Sequence, residues 1–118
     1  MTDVKDLIIA RSTPPGKSAL AVIRMSGYGC IEKVDSFFPS IDLVNSPPRY
    51  AHFGKFYGHH GELIDEVIVL CFAGPQSFTG EDMVEISCHG SDFIVQRLLE
   101  DLLGAGFRMA GPGEFTLR

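Results

Sequence analysis

At 118 residues, 45% of them hydrophobic and 21% charged, the chain is sized for one domain around a single core. A formal net charge of -5 excludes this domain from gripping a phosphate backbone unaided, because such binding rests on clustered Lys and Arg that release counterions. The longest apolar stretches, Ala19 to Ile23 and Val67 to Phe72, fall far short of the ~20 residues that span a bilayer, so a soluble protein without a membrane partner is expected.

Asp3, Lys5 and Asp6 interrupt the opening residues, leaving no basic, apolar, small-residue leader and making the cytoplasm the default location. Cys30, Cys71 and Cys88 are odd in number, far apart and set in apolar runs, which suits buried reduced thiols better than a disulfide framework.

In chain order, Asp6 to Arg11 reads as a short strand, closed by Ser12-Thr13-Pro14-Pro15-Gly16, and Ser18 to Ser26 as a second strand. Gly27-Tyr28-Gly29 breaks that run. Ile31, Val34, Phe37 and Phe38 then recur at helical spacing, while Pro39 to Arg49 has turn composition and no period. Tyr50 to Tyr57 and Glu62 to Phe72 flank Gly58-His59-His60-Gly61 as a β-hairpin.

Gly74 to Gly80 is a loop, followed by the strand Met83 to Cys88 and then His89-Gly90. Ser91 is the expected N-cap of a long helix whose stripe is Ile94, Val95, Leu98, Leu99, Leu102 and Leu103, with Gly104 and Gly106 ending it. Phe107 to Ala110 is a last short strand, and Gly111 to Thr116 begins an element that the chain does not finish, so its end reads as a cut. The order strand, strand, helix, hairpin, strand, helix, strand predicts an α+β fold, a mixed β-sheet with two helices packed on one face.

Common catalytic and nucleotide motifs fail on inspection. Gly16-Lys17-Ser18 imitates the tail of a P-loop, but Arg11 stands where that loop needs glycine and a strand follows instead of a helix. Gly27-x-Gly29 precedes a helix as in a dinucleotide fingerprint, but Glu32 occupies the third glycine position, which leaves a turn and cap. His59-His60 and Cys88-His89 lack partners at zinc spacing, so no metal site is expected. No Gly-x-Ser-x-Gly elbow is present, and no catalytic residue is assigned.

Two charges sit in unusual places. Arg24 lies inside Ala19-Leu20-Ala21-Val22-Ile23-Arg24-Met25, and alternation puts it on one strand face with Val22 and Ser26. Glu85 lies between Val84 and Ile86, sharing a face with Met83, Ser87 and His89. Strand physics leaves two readings open: a structural ion pair or solvated edge, and a polar cleft that receives a ligand.

Thr13-Pro14-Pro15-Gly16, Ala21-Val22-Ile23-Arg24-Met25-Ser26-Gly27, Tyr50-Ala51-His52-Phe53-Gly54, Ile64-Asp65-Glu66, Ser77-Phe78-Thr79-Gly80-Glu81-Asp82, Val84-Glu85-Ile86, His89-Gly90 and Pro112-Gly113-Glu114-Phe115-Thr116 stand in an order that resembles the N-terminal domain of the tRNA-modification GTPases of the MnmE, or TrmE, family. The resemblance spans nearly the whole chain. It implies a single folate-binding and dimerisation domain over residues 1–118, with a fold related to the tetrahydrofolate-binding domain of aminomethyltransferases. It implies 5-formyltetrahydrofolate, or a related reduced folate, as cofactor and a homodimer as the working form.

It further implies that the helical and GTPase domains, with GTP, potassium and magnesium, lie outside this chain. The resemblance also implies that the complete protein acts with a flavin-containing partner, MnmG, on the wobble uridine of tRNA. The family's folate contacts fall on Arg24 and Glu85, and a further lysine contact would lie past Arg118. The chain departs from the family at Ser91, where a second glycine is usual, and at Leu117, often charged; the first bears on the mouth of the pocket.

A pterin edge offers a ring N–H beside an exocyclic amino group, and a carboxylate supplies two acceptors at matching separation, so Glu85 is the natural partner. Arg24 would neutralise that carboxylate in the empty site or hold a polar group of the ligand. Phe53, Phe56, Tyr57, Phe72 and Phe78 are possible stacking residues, although aromatics at strand spacing more often belong to the core. Two rival functions remain open: a stand-alone folate-dependent one-carbon transferase using His89, Glu81 or Asp82 as acid or base, and a purely structural pairing module.

Overall fold

The computed structural model describes residues 6–16 and 18–118; expectations resting on Asp3, Lys5 and Lys17 fall outside them. Six strands, β1 (Ile8–Arg11), β2 (Leu20–Ser26), β3 (Ala51–Tyr57), β4 (Leu63–Phe72), β5 (Met83–His89) and β6 (Arg108–Met109), form one sheet in the order β3-β4-β5-β2-β1-β6. All neighbours are antiparallel except β1 and β6, which run parallel. The sheet is therefore mixed, as the sequence predicts.

Alternation along the strands sorts the side chains into two faces. Ala21, Ile23 and Met25 of β2, Val67, Val69 and Cys71 of β4, and Val84, Ile86 and Cys88 of β5 all point into one core. Two helices cover it: α1 (Cys30–Asp35) supplies Cys30 and Val34, and α2 (Asp92–Gly104) supplies Val95, Leu98 and Leu102. Burying such side chains at ~1.5–3 kcal/mol each is what holds the layers together.

The helix predicted through Phe38 stops earlier. Phe37 and Phe38 fall in the turn after α1, where Phe37 stacks on Phe56 at 4.7 Å and Phe38 meets the same ring edge-on at 5.5 Å. The aperiodic stretch from Pro39 to Arg49 is not merely a connector: Leu43 is buried in the core, and its N–H donates to Asp35 Oδ1 at 2.8 Å. A third helix, α3 (Glu114–Leu117), forms in the segment for which the sequence reading named no element type.

The junction of β5 and α2 depends on one close approach. A Cβ at Gly90 would stand 2.0 Å from the Ser18 carbonyl oxygen. Only glycine lets the strand ends exchange the Ser18 N–H to Gly90 O and Gly90 N–H to Ala19 O hydrogen bonds, both 3.2 Å. Ser91 then caps α2, its side chain accepting from the Ile94 N–H.

Candidate functional site

The face opposite the helices is where the two misplaced charges meet. Strand register sets Ala51, Leu70, Glu85, Arg24 and Ala10 in one row across β3, β4, β5, β2 and β1. Arg24 and Glu85 are thus direct cross-strand neighbours. Arg24 Nε and Nη2 donate at 2.8 and 2.7 Å to the same oxygen, Glu85 Oε2. Among the described residues, no group donates to Oε1.

Side-chain exposures of 32% for Arg24 and 24% for Glu85 put the pair neither in the core nor in open water. Half-burial strengthens the charge–charge attraction while leaving one carboxylate oxygen within reach of a ligand. Phe78, whose ring is largely exposed, lies under the Arg24 guanidinium at 5.9 Å from the ring centroid, within cation–π range. That ring comes from the loop joining β4 to β5, which folds back over one end of the face.

This loop is tied down by a buried polar cluster. Ser26 Oγ shares a 2.7 Å hydrogen bond with Thr79 Oγ1 and donates to Glu81 Oε1 at 2.9 Å. Arg118 Nη1 donates to both oxygens of Glu81 at 3.2 Å and to the Asp6 carbonyl at 2.8 Å. The polar edge of β2 at Ser26 is thereby satisfied inside the protein.

Arg24 opens on a cleft of about 230 Å³ lined also by Ala10, Arg11, Ser12, Glu114 and Phe115. Glu85, paired to Arg24, does not itself line this cleft. Glu114 forms part of its wall, and its carboxyl is held down at about 2, first by hydrogen bonds from Arg108 and then by the Gly111 N–H. A larger, more open hollow of about 710 Å³ sits at the start of α2 beside His89, Gly90 and Phe93. Its charged groups are already engaged: His89 Nδ1 lies 2.7 Å from Asp65 Oδ1, and Asp92 accepts from Arg11 at 2.8 Å. The smaller cleft, which Arg24 lines, is the better candidate.

The remaining sequence candidates separate cleanly. Phe56 is fully buried between Phe37 and Phe38, so it belongs to the core and not to a ligand site. Phe53 and Phe78 are exposed, and Phe72 and Tyr57 are half-buried. Cys88 and His89 point to opposite faces by alternation, and His59 Nε2 is engaged with the Asp101 carbonyl at 2.7 Å. No group of three or more His, Cys, Asp or Glu among the described residues could hold a metal ion. Among those residues no helix is long and apolar enough to cross a membrane.

Cys30, Cys71 and Cys88 are buried free thiols. Burial, with nearby carboxylates second, pushes Cys71 and Cys88 up to about 11 and Cys30 higher still. These are poor nucleophiles at neutral pH. What sequence reasoning missed is the Arg108–Glu114–Arg118 cluster; its one visible signal was an acid directly after Gly111-Pro112-Gly113, where a loop alone would not need one.

Fold and site together define a small α+β domain that presents an ion-paired, half-open sheet face beside a narrow cleft. The family profile described as "GTP-binding protein TrmE N-terminus" matches residues 7–118, and the chain belongs to that family. It is 44% identical over 115 residues to the tRNA modification GTPase MnmE of Aquifex aeolicus, covering 98% of this chain and 25% of that protein. With the proteins of the same name from Cytophaga hutchinsonii and Porphyromonas gingivalis it shares 48% over 118 residues and 49% over 118 residues, covering 100% and 97% of this chain. The chain spans about a quarter of the length of these curated relatives, 25% in each case.

Proposed function

We propose that this domain binds 5-formyltetrahydrofolate at Arg24 and Glu85 and pairs with a second copy of itself. It does so within a GTPase that modifies the wobble uridine of tRNA in the cytoplasm together with a flavin-containing, MnmG-type partner. GTP, potassium and magnesium belong to the portion of such a protein beyond this chain. The relatives' name, tRNA modification GTPase, supports the process, and the chain's net charge of -5 supports a grip on tRNA by other parts of the assembly.

The observation that carries the folate reading is the geometry of the pair. Both Arg24 nitrogens converge on Glu85 Oε2, so Oε1 remains available to a donor edge. A folate fits this donor set: its pterin N–H and amino group match a carboxylate, and Arg24 can turn toward a carbonyl or carboxylate without leaving Glu85 uncompensated. The bound cofactor supplies a one-carbon unit; the residues of this chain bind and orient it, and Phe78 screens one side of Arg24 from water.

Isothermal titration of 5-formyltetrahydrofolate, with sedimentation on the same sample, tests the reading. Glu85→Ala should weaken binding at least tenfold, since removing one partner of a desolvated charged pair costs ~2–5 kcal/mol. Unchanged affinity in that variant rejects the assignment. No binding at all, with a stable dimer, favours the reading in which Arg24 and Glu85 are only a structural ion pair, for which their 2.7 Å contact is the supporting observation. Turnover of folate by the domain alone would instead favour a one-carbon transferase.

A further inference from the structure

One wall of the Arg24 cleft is the turn that carries Gly111, Gly113, Glu114 and Phe115. Gly111-Pro112-Gly113 carries two residues without side chains, and Gly113 adopts a φ of 72°, in the left-handed region. Each glycine loses more backbone freedom on ordering than any other residue type, while Pro112 between them loses little. The segment runs straight into Glu114 and Phe115, which line the cleft beside Arg24, Ala10 and Arg11.

To the turn's backbone bonds, Ala110 N–H to Ile9 O at 2.9 Å and Glu114 N–H to Gly111 O at 3.1 Å, one carboxylate adds the side-chain ties. Glu114 Oε1 accepts from the Gly111 N–H at 2.8 Å and from Arg108 Nη1 at 3.0 Å. Glu114 Oε2 accepts from Arg108 Nη2 at 2.6 Å and from Arg118 Nη2 at 3.4 Å. The two-nitrogen, two-oxygen match with Arg108 is the directional kind of ion pair, specifying orientation as well as attraction.

Each partner is itself anchored. Arg108 sits in β6, opposite Ile8 of β1, and its Nε holds Asp6 at 3.1 Å. Arg118, only 3% exposed, grips Glu81 at the end of the loop that carries Phe78. One side chain therefore links the sheet edge, the turn beside Arg24 and the loop beneath Arg24.

We propose that Glu114 is a positioning residue of the folate site: by gathering Gly111, Arg108 and Arg118 on one carboxylate, it sets the turn of residues 111–115 as the wall against which a ligand on Arg24 is held. This rests on the folate reading above. Glu114 lines the cleft, but both of its carboxylate oxygens are taken up by Gly111, Arg108 and Arg118, so in this assignment it acts through the turn.

Glu114→Gln is the direct test, because the amide keeps size and one acceptor but turns an NH2 group toward guanidinium donors. Isothermal titration with 5-formyltetrahydrofolate should show affinity reduced by about tenfold, the scale of a lost charge-assisted bond. Amide hydrogen exchange of residues 111–116 should accelerate in the same variant. Leu98→Ala, in the core on the opposite face, serves as the stability control, read at a temperature where both variants are folded by circular dichroism. Its affinity should stay within about twofold of the unmutated protein despite a larger loss of stability, as core truncations carry.

Equal weakening in both variants would mean that Glu114 acts through stability alone, and the proposal fails. Unchanged affinity in Glu114→Gln, alongside lost affinity in Glu85→Ala, overturns the positioning role while leaving the folate reading standing. Absence of folate binding in the unmutated protein overturns both, and is recognised because no variant is needed to see it.

Discussion

Glu114 is also a side chain whose ionisation the fold shifts far from its ordinary value. Its carboxyl is lowered from 4.5 to about 2, first by Arg108 and then by the Gly111 N–H. A carboxyl depressed in the folded state adds stability that is complete above 4.5 and disappears as the pH falls toward 2. Denaturant midpoints measured across that interval should therefore fall more gently with acid in Glu114→Gln than in the unmutated protein. Parallel curves would show that the depression does not feed into folding. The thiols run the other way: Cys71 and Cys88 stay neutral to about 11, while an unfolded chain ionises them near the ordinary value of 9.0. Stability should decline as pH rises through that window, and alkylation at neutral pH should report only unfolded molecules. At this scale the sequence was legible where a charge interrupted an apolar strand, as at Arg24 and Glu85. It was not legible at Arg108, Glu114 and Arg118, because exposed-looking charges in short segments declare a partner only once the chain has folded.

Elements were readable wherever periodicity was long. The α2 stripe through Val95, Leu98 and Leu102 and the alternation in β4 and β5 fell where the residue pattern put them. Periodicity misled at Phe37 and Phe38, whose helical spacing continues past the end of α1; aromatic packing against Phe56 took over there from the helix. It was silent at α3, four residues long, which is held by ion pairs and not by an apolar stripe. The junction at Gly90 yields a prediction of its own. With a Cβ there only 2.0 Å from the Ser18 carbonyl, Gly90→Ala must push β2 away from the start of α2. Thermal melts should show a loss of ~1–3 kcal/mol, the usual cost of forced overpacking. Ser91→Ala, one residue along, removes only a cap and should cost about 1 kcal/mol or less. If the two variants melt alike, the close approach at Gly90 is not what constrains the junction.

At the scale of the whole molecule, the sheet is clothed on one side and half bare on the other. The helices seal the core face, and the β4–β5 loop and α3 cover the end of the second face near Ile8, Ser26 and Met83, all buried. Toward β3 that cover stops: Phe53 is 71% exposed and its cross-strand partner Ile68 43%. Paired apolar side chains on an uncovered sheet are where a second copy would seat, and specific dimers hide ~800 Å² per partner on such surfaces. Ile68→Lys tests the pairing half of the proposed function separately from the folate half. Because Ile68 already faces water in one copy, the substitution should change the stability of a single domain by no more than about 0.5 kcal/mol. In a dimer built on this face it would bury a lysine against a copy of itself, where like charges and lost apolar contact both oppose association. Sedimentation should then shift from dimer to monomer with an unchanged circular dichroism spectrum. A dimer that survives the lysine must use another surface, and the exposed Phe53–Ile68 pair would lose its claim to be the seam.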